Sequence, residues 1–294
     1  MSDRGPRRTL ALAQCAPTLG DLERNLELHL ELGAEAAERG ADACVFPELS
    51  LTGYLLKDLV PDVAITLDDA RLGPLLDLSR RIDLIFGAAV RSDDFRYHNA
   101  AVHLAGGEVV HVHRKVYLPT YGMFDEQRYF AAGDRLRAVD RGGFREGLLV
   151  CEDMWHLSAP YLLFVQGASL IVCISSSPGR GVLADPEAGG VPGTAASWEA
   201  LCRTVAEYTT CYVAYCNRVG FEDGVNFWGG SSLHGPDGRL LARAGDGEEL
   251  LLLEVDPREV GRRRLHTPLL RDEKVELTIN ELGRIWKERT DAPY

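Results

Sequence analysis

Three ionisable residues stand at the ends of apolar runs, each beside turn-forming residues: Glu48 in FPELSLTGY, Lys115 in HRKVYLPTYGMFDE and Cys151 in LLVCEDMW. Strand ends are where α/β folds assemble sites, because the sheet fixes them and the loops leave them open. A cysteine nucleophile must be a thiolate, and its pKa falls next to a cation. Lys115 has the charge to do this, and the same ammonium could stabilise an oxyanion on an attacked carbonyl. A carboxylate such as Glu48 could take the thiol proton and later activate water. The Glu–Lys–Cys set is therefore chemically complete for breaking an amide through a thioester. Taken singly, each residue has a plainer reading. Cys151 in a hydrophobic run is packing, Lys115 is a solvated hairpin residue, and Glu48 after Pro47 caps a turn. Cys15, Cys44, Cys173, Cys211 and Cys216 keep the packing reading. His111 and His113 alternate on one strand face with no third ligand spaced near them.

For the three residues to meet, the elements that carry them must end together. Residues 9–16, 41–48 and 83–90 read as buried strands. Residues 21–39 read as a helix with Leu22, Leu26, Leu30 and Ala37 on one face, Gly33 on that face allowing close approach to the sheet, and Gly40 as its stop. Residues 67–81 read as a second helical stretch restarted at Pro74, and Gly106-Gly107 joins 99–104 to 108–115 as a hairpin. Further along, 147–151 and 169–175 are apolar strands separated by a short helix near 159–166. A helix over 195–209 leads into a strand at 211–217. Residues 231–241 form a hairpin turning at Pro236-Asp237-Gly238, and 249–255 is the last strand. Residues 179–193, rich in Gly and Pro, read as a long flexible loop. Arg262, Arg263 and Arg264 fit a solvated helix end or a subunit contact, and a polar tail follows from about residue 265. Several strands are apolar on both faces, so helices should cover one side of each sheet and a second sheet the other. The expectation is one layered α/β domain over residues 1–294.

Composition narrows the function. The 294 residues carry 32 Lys plus Arg against 44 Asp plus Glu, a net charge of −12. Nucleic-acid affinity is built on clustered Lys and Arg, so no nucleic-acid partner is expected. No apolar run approaches a membrane span, and the arginine-bearing start followed by a run interrupted at Gln14 is a poor secretory signal. Seven cysteines without a CxxC pair suit a reducing, cytoplasmic compartment. The sequence has no GxxxxGK[ST] loop, no GxGxxG after the first strand, no HExxH and no GxSxG elbow, which argues against P-loop nucleotide chemistry and helical zinc hydrolysis.

Together FPELSLTGY, RKVYLPTYGMFDEQRYF and CEDMW resemble the nitrilase superfamily of carbon–nitrogen hydrolases, and more narrowly the glutaminase domain of glutamine-dependent NAD synthetase. The likeness runs from TLALAQCAPTLGDLERN to GGSSLHGPDGRLLARAGDGEELLLLEVD. It implies an α-β-β-α sandwich, commonly a homo-oligomer, with Glu48 as general base, Lys115 as cationic stabiliser, Cys151 as nucleophile and Glu126 orienting Lys115. The oxyanion would lie between the Lys115 ammonium and the Glu152 backbone N–H, so no metal or organic cofactor is expected. The resemblance also implies a glutamine head-group site at Tyr54, Tyr121, Glu152 and Ser177. Arg180 stands for a downstream arginine, although SSSPGRGVLADPEAGG is not spaced like the family's usual segment. Glu152 would bind an α-ammonium and the arginine an α-carboxylate. The sequence holds no SGGxDS-type phosphate loop, which sets two expectations: a separate glutaminase subunit passing ammonia to a synthetase partner, the favoured one, or a stand-alone amidase for another small amide, ω-amide or N-carbamoyl compound. A non-catalytic binding protein on the same sandwich is the rival of another class.

Overall fold

A computed structural model describes residues 7–179 and 193–291. In chain order the strands among them are β1 (Arg8–Gln14), β2 (Ala43–Val45), β3 (Asp83–Arg91), β4 (Tyr97–Ala105), β5 (Glu108–Arg114), β6 (Ala138–Arg141), β7 (Phe144–Val150), β8 (Leu170–Ser175), β9 (Tyr212–Asn217), β10 (Val219–Glu222), β11 (Val225–Trp228), β12 (Ser232–His234), β13 (Leu240–Arg243) and β14 (Glu249–Val255). One six-stranded sheet runs β14-β1-β2-β3-β4-β5, and the other runs β13-β12-β9-β8-β7-β6. The centre of each is parallel, β1–β2–β3 in one and β7–β8–β9 in the other, with antiparallel strands outside. β10 and β11 form a separate ribbon that the sequence reading missed, as it missed β6.

The layers follow from side-chain alternation. On β1, Leu10 and Leu12 join Leu148, Val150 and Val172 in the core between the sheets. Ala11 and Ala13 face the opposite way, into a core shared with Leu22, Ala36, Leu72 and Leu75 of the helical layer. The outer face of the second sheet is covered by the helices Ser158–Val165 and Gly193–Thr209, through Leu163, Trp198, Cys202 and Val205. The expected α-β-β-α sandwich is the observed architecture.

Several boundaries moved, for identifiable reasons. The strand expected over 41–48 ends at Val45, and Glu48 sits in the turn beyond it. The stretch 67–81 forms a single 3-10 turn and then the helix Gly73–Leu78, with Pro74 in its first turn. In the helix Leu22–Glu38 the buried residues are Leu22, Asn25, His29, Gly33 and Ala36, so the inner face is rotated from the one expected through Leu26 and Leu30. Two polar residues lie inside because the turn carrying Glu48 satisfies them. Asn25 Nδ2 donates to the Leu51 carbonyl at 3.1 Å, and His29 Nε2 lies 2.9 Å from Ser50 Oγ. The segment after 265 is not a polar tail. It continues the helix Pro257–His266 into Leu269–Asp272 and Val275–Asp291, the last exposing Ile279, Leu282 and Trp286 at helical spacing. Its many charges mask that period in composition. Arg264 lies at the end of the first of these helices and donates to Thr210 Oγ1 at 3.1 Å. Among the described residues no helix is long and apolar enough to cross a membrane. The expected loop at 179–193 falls almost wholly outside the described residues.

At the starts of β1, β3 and β7 the two sheets are pinned by buried charge. Arg8 reaches Asp83 at 2.6 Å and Glu146 at 2.9 Å, Arg141 reaches Asp83 at 2.6 Å, and His103 lies 3.0 Å from Glu146. Burial opposes ionisation of Asp83 and Glu146, but His103 and the arginines outweigh it and hold both carboxyls below their usual range. Burial likewise opposes protonation of His103, and the two carboxylates raise its pKa in spite of it. The carboxylates stabilise the fold above their unfolded pKa values of about 4 and lose that as pH falls. His103 contributes below its unfolded value of about 6.5 and loses that contribution as pH rises through its folded value. The thermal midpoint should therefore be highest between about pH 4.5 and 6.5 and decline on both sides. In His103→Gln the alkaline decline should be reduced while the acid decline remains, measured by thermal unfolding across pH.

Candidate active site

Glu48, Lys115 and Cys151 follow β2, β5 and β7, and each is held by a different device. The Glu48 turn lies directly on β3. Gly87 N donates to the Pro47 carbonyl at 3.1 Å, and Leu51 N donates to the Gly87 carbonyl at 3.0 Å. A Cβ on Gly87 would stand 2.1 Å from Leu49 N and 2.6 Å from the Pro47 carbonyl oxygen, so only glycine permits this approach. Cys151 opens a short 3-10 turn, Cys151–Trp155, in the left-handed region at φ 44°. A non-glycine residue there is held against a local cost of about 1–3 kcal/mol.

The segments bearing Lys115 and Cys151 are joined by a residue the sequence reading passed over. Asp153, fully buried, accepts from Val116 N at 2.9 Å and Tyr117 N at 3.0 Å through Oδ1. Through Oδ2 it accepts from Val150 N at 3.0 Å and is 2.8 Å from His113 Nε2. One carboxylate thus ties the residues flanking the lysine to the residue before the cysteine. An acidic residue two positions after a candidate nucleophile, together with a strand histidine two before the lysine, was the available signal.

At the centre the Lys115 ammonium, fully buried, lies 2.7 Å from Glu48 Oε1 and 2.7 Å from Glu126 Oε1. Asn99 Nδ2 donates to Glu48 Oε1 at 2.7 Å, Ser176 N to Glu48 Oε2 at 2.8 Å, and the Tyr54 hydroxyl to Glu126 Oε1 at 2.8 Å. Burial alone would lower the lysine pKa, but Glu126 and Glu48 hold it well above its ordinary value. Burial raises the Glu126 carboxyl, with Lys115 pulling against it. Cys151 is pushed well above the ordinary thiol value by burial and by Glu48, with Lys115 opposing. The sulfur is therefore a neutral thiol under the influence of a fixed cation and a carboxylate. All seven cysteines are free.

The remaining sequence candidates divide. Tyr54 joins the central cluster. Its backbone N–H and that of Leu55 donate to Glu222 Oε1 at 2.9 and 2.6 Å, and Arg218 pairs with Glu222 at 2.7 Å, so the β10–β11 ribbon clamps this loop. Tyr121, 56% exposed, donates to Glu152 at 3.0 Å, next to the cysteine. Ser177 is buried, accepting from Trp198 Nε1 at 2.8 Å and donating its N–H to Asn217 Oδ1 at 2.9 Å. Arg180 lies outside the described residues. A cavity of about 140 Å³ bordered by Leu49, Tyr54, Phe124, Glu126 and Phe130 adjoins the cluster. Among the described residues no group of three His, Cys, Asp or Glu is placed to hold a metal ion.

A buried ammonium held between two carboxylates beside the segment that bears Cys151, on an α-β-β-α sandwich, marks the chain as a hydrolase. The chain belongs to the carbon–nitrogen hydrolase family, whose model matches residues 9–265. It is 35% identical over 242 residues to the glutamine-dependent NAD(+) synthetase of Thermotoga maritima, covering 80% of this chain and 39% of that protein. It is 30% identical to a hydrolase encoded in the pqqF 5′ region of Pseudomonas protegens, covering 91% of this chain and 90% of that one. Among solved structures it is similar to the NAD+ synthetase of Acinetobacter baumannii, with TM-score 0.77, 27% identity, and coverage of 87% and 47% of the two chains. It is also similar to a nitrilase-superfamily amidase from Nesterenkonia, with TM-score 0.77, 26% identity, and coverage of 94% and 98%. The chain thus spans well under half of the T. maritima synthetase and nearly all of the amidase.

Gly87→Ala should displace the Glu48 turn, lowering stability by about 1–3 kcal/mol and reducing amide hydrolysis by a larger factor than the loss of folded protein accounts for. Thermal unfolding and turnover per folded molecule check this.

Proposed function

We propose that this chain is a cysteine amidohydrolase that releases ammonia from the side-chain amide of glutamine through a thioester. The observation that carries the reading is the buried Lys115 ammonium held between Glu48 and Glu126, with Cys151 within reach of the same charges. In this reading Glu48 takes the thiol proton as sulfur attacks the amide carbon. The developing oxyanion is met by the Lys115 ammonium and the Glu152 backbone N–H. Glu48 returns the proton to the leaving nitrogen, ammonia departs and the thioester remains. Glu48 then deprotonates a water that attacks the thioester, the carboxylic acid leaves, and the proton returns to sulfur. Glu126 keeps Lys115 in place. A related precedent is the Nesterenkonia amidase, a variant of which carries the acetamide moiety of fluoroacetamide covalently on its active-site cysteine.

Similarity to the glutamine-dependent NAD synthetases supports glutamine as substrate; a separate synthetase subunit as ammonia acceptor, a cytoplasmic location and a homo-oligomer complete the reading as proposals. Tyr54, Tyr121, Glu152, Ser177 and Arg180 are the head-group residues of that reading. A second reading, an amidase acting alone on another small amide, is favoured by the match over nearly the full length of the Pseudomonas hydrolase and the Nesterenkonia amidase.

Ammonia release should be measured on a panel of amides including glutamine, with and without an ammonia-dependent NAD synthetase. Turnover of glutamine supports the glutaminase. Turnover of other amides with glutamine inert in both settings selects the amidase. Cys151→Ala should reduce release to background with the fold intact, and an electrophilic glutamine analogue should label Cys151. No turnover of any amide together with an unreactive Cys151 would leave a binding protein on this sandwich.

A further inference from the structure

The Cys151 sulfur has a polar neighbour that the reaction above does not use. Ser175, the last residue of β8 and fully buried, places Oγ 3.4 Å from Cys151 Sγ as donor. The same Oγ accepts from the Tyr215 hydroxyl at 3.2 Å. Tyr215 lies on β9, one strand over, and is itself only 1% exposed. Its ring is fixed on both sides, stacked on Trp198 with centroids 4.7 Å apart and on Trp228 at 6.2 Å. Trp198 meets Trp155 of the Cys151 turn edge-on at 5.3 Å. A serine hydroxyl has one proton. With Tyr215 donating to its oxygen, that proton is left for the sulfur.

We propose that Ser175 is a further catalytic residue, a hydrogen-bond donor that favours the thiolate of Cys151 and fixes the sulfur, and that Tyr215 is a positioning residue acting through Ser175. This rests on Cys151 being the nucleophile. A neutral thiol accepts weakly and a thiolate strongly, so the contact strengthens as charge develops on sulfur. The setting calls for such a donor. Burial, Glu48 and Glu126 all oppose the thiolate, and Lys115 is the cation opposing them, with its own hydrogen bonds directed to those same carboxylates. The other titratable groups facing the sulfur are Tyr54, Cys173 and Tyr215, which burial keeps protonated. The Ser175–Tyr215 pair therefore approaches from the second sheet without adding charge, whereas Lys115 and Glu48 follow strands of the first.

The test is the pH dependence of Cys151 alkylation by iodoacetamide in the full chain, with the site assigned by peptide mass spectrometry. In Ser175→Ala the midpoint should move up by about one pH unit, so the rate at a fixed pH below it falls about tenfold. Tyr215→Phe keeps the ring and should give a smaller shift in the same direction. The double variant should shift no further than Ser175→Ala alone. An unchanged midpoint in folded Ser175→Ala overturns the proposal, and an added effect of Tyr215→Phe in that background overturns the relay. If Ser175→Ala fails to fold, Tyr215→Phe decides alone, an unchanged midpoint counting against the proposal. Failure of the parent reading looks different, because Cys151→Ala would then retain full turnover.

Discussion

An ammonium with no solvent exposure is the constraint around which this end of the sandwich is arranged. Removing such an ion from water costs several kcal/mol, recovered only when opposite charge and hydrogen bonds meet it in good geometry. Two carboxylates at 2.7 Å do so for Lys115, and each is in turn satisfied by Asn99, Ser176 or Tyr54. Because Ser176 follows β8 while Glu48 and Asn99 belong to the first sheet, satisfying the lysine already requires the two sheets to dock in one register. Truncating the lysine would leave two carboxylates buried and unpaired, which is far costlier than never having buried them.

Buried carboxylates also fix neighbouring segments elsewhere in the molecule. Asp153 gathers donors from the lysine and cysteine segments. Glu222 accepts two successive amides of the Tyr54 loop and is balanced by Arg218. Asp83 and Glu146 bind the opposite end of the sandwich through Arg8. A buried carboxylate accepts several hydrogen bonds at fixed positions, so it sets geometry where apolar contacts set only proximity. A site that must hold a thiol, an ammonium and a carboxylate in register needs that kind of fixing.

Much of this was legible in sequence because it rests on local pattern. Strands apolar on both faces announced a doubly covered sheet, and Glu48, Lys115 and Cys151 stood out as ionisable residues where such strands stop. Glu126 came from family resemblance, since nothing in its own surroundings distinguishes it from a helix-start carboxylate. What stayed hidden depends on long-range pairing. Asn25 and His29 lie on the inner helix face because a turn more than twenty residues away receives them. Ser175 and Tyr215 gain meaning only once parallel pairing sets β8 beside β9. The β10–β11 ribbon is the exception, being local: Asp223-Gly224, both at positive φ, is a two-residue hairpin signal that its short strands leave easy to pass over. The helix beyond residue 275 hid its apolar period among charges.

The division between what is buried and what is exposed bears on how chemistry and selection separate in the proposed enzyme. Lys115, Glu48, Glu126 and Asp153 are sealed and mutually satisfied, so altering any of them disturbs the whole cluster. Tyr121 is more than half exposed, and its phenol bonds a Glu152 carboxylate that also lies 3.8 Å from His156. Contacts of this exposed kind are worth little to stability and exchange readily. If Tyr121 and Glu152 hold the head group as proposed, a change of substrate would fall on that rim without touching the charged centre. Matches to NAD synthetases and to amidases through a single shared fold fit that arrangement: in the proposed reading the centre would perform one reaction and the rim would select the amide presented to it.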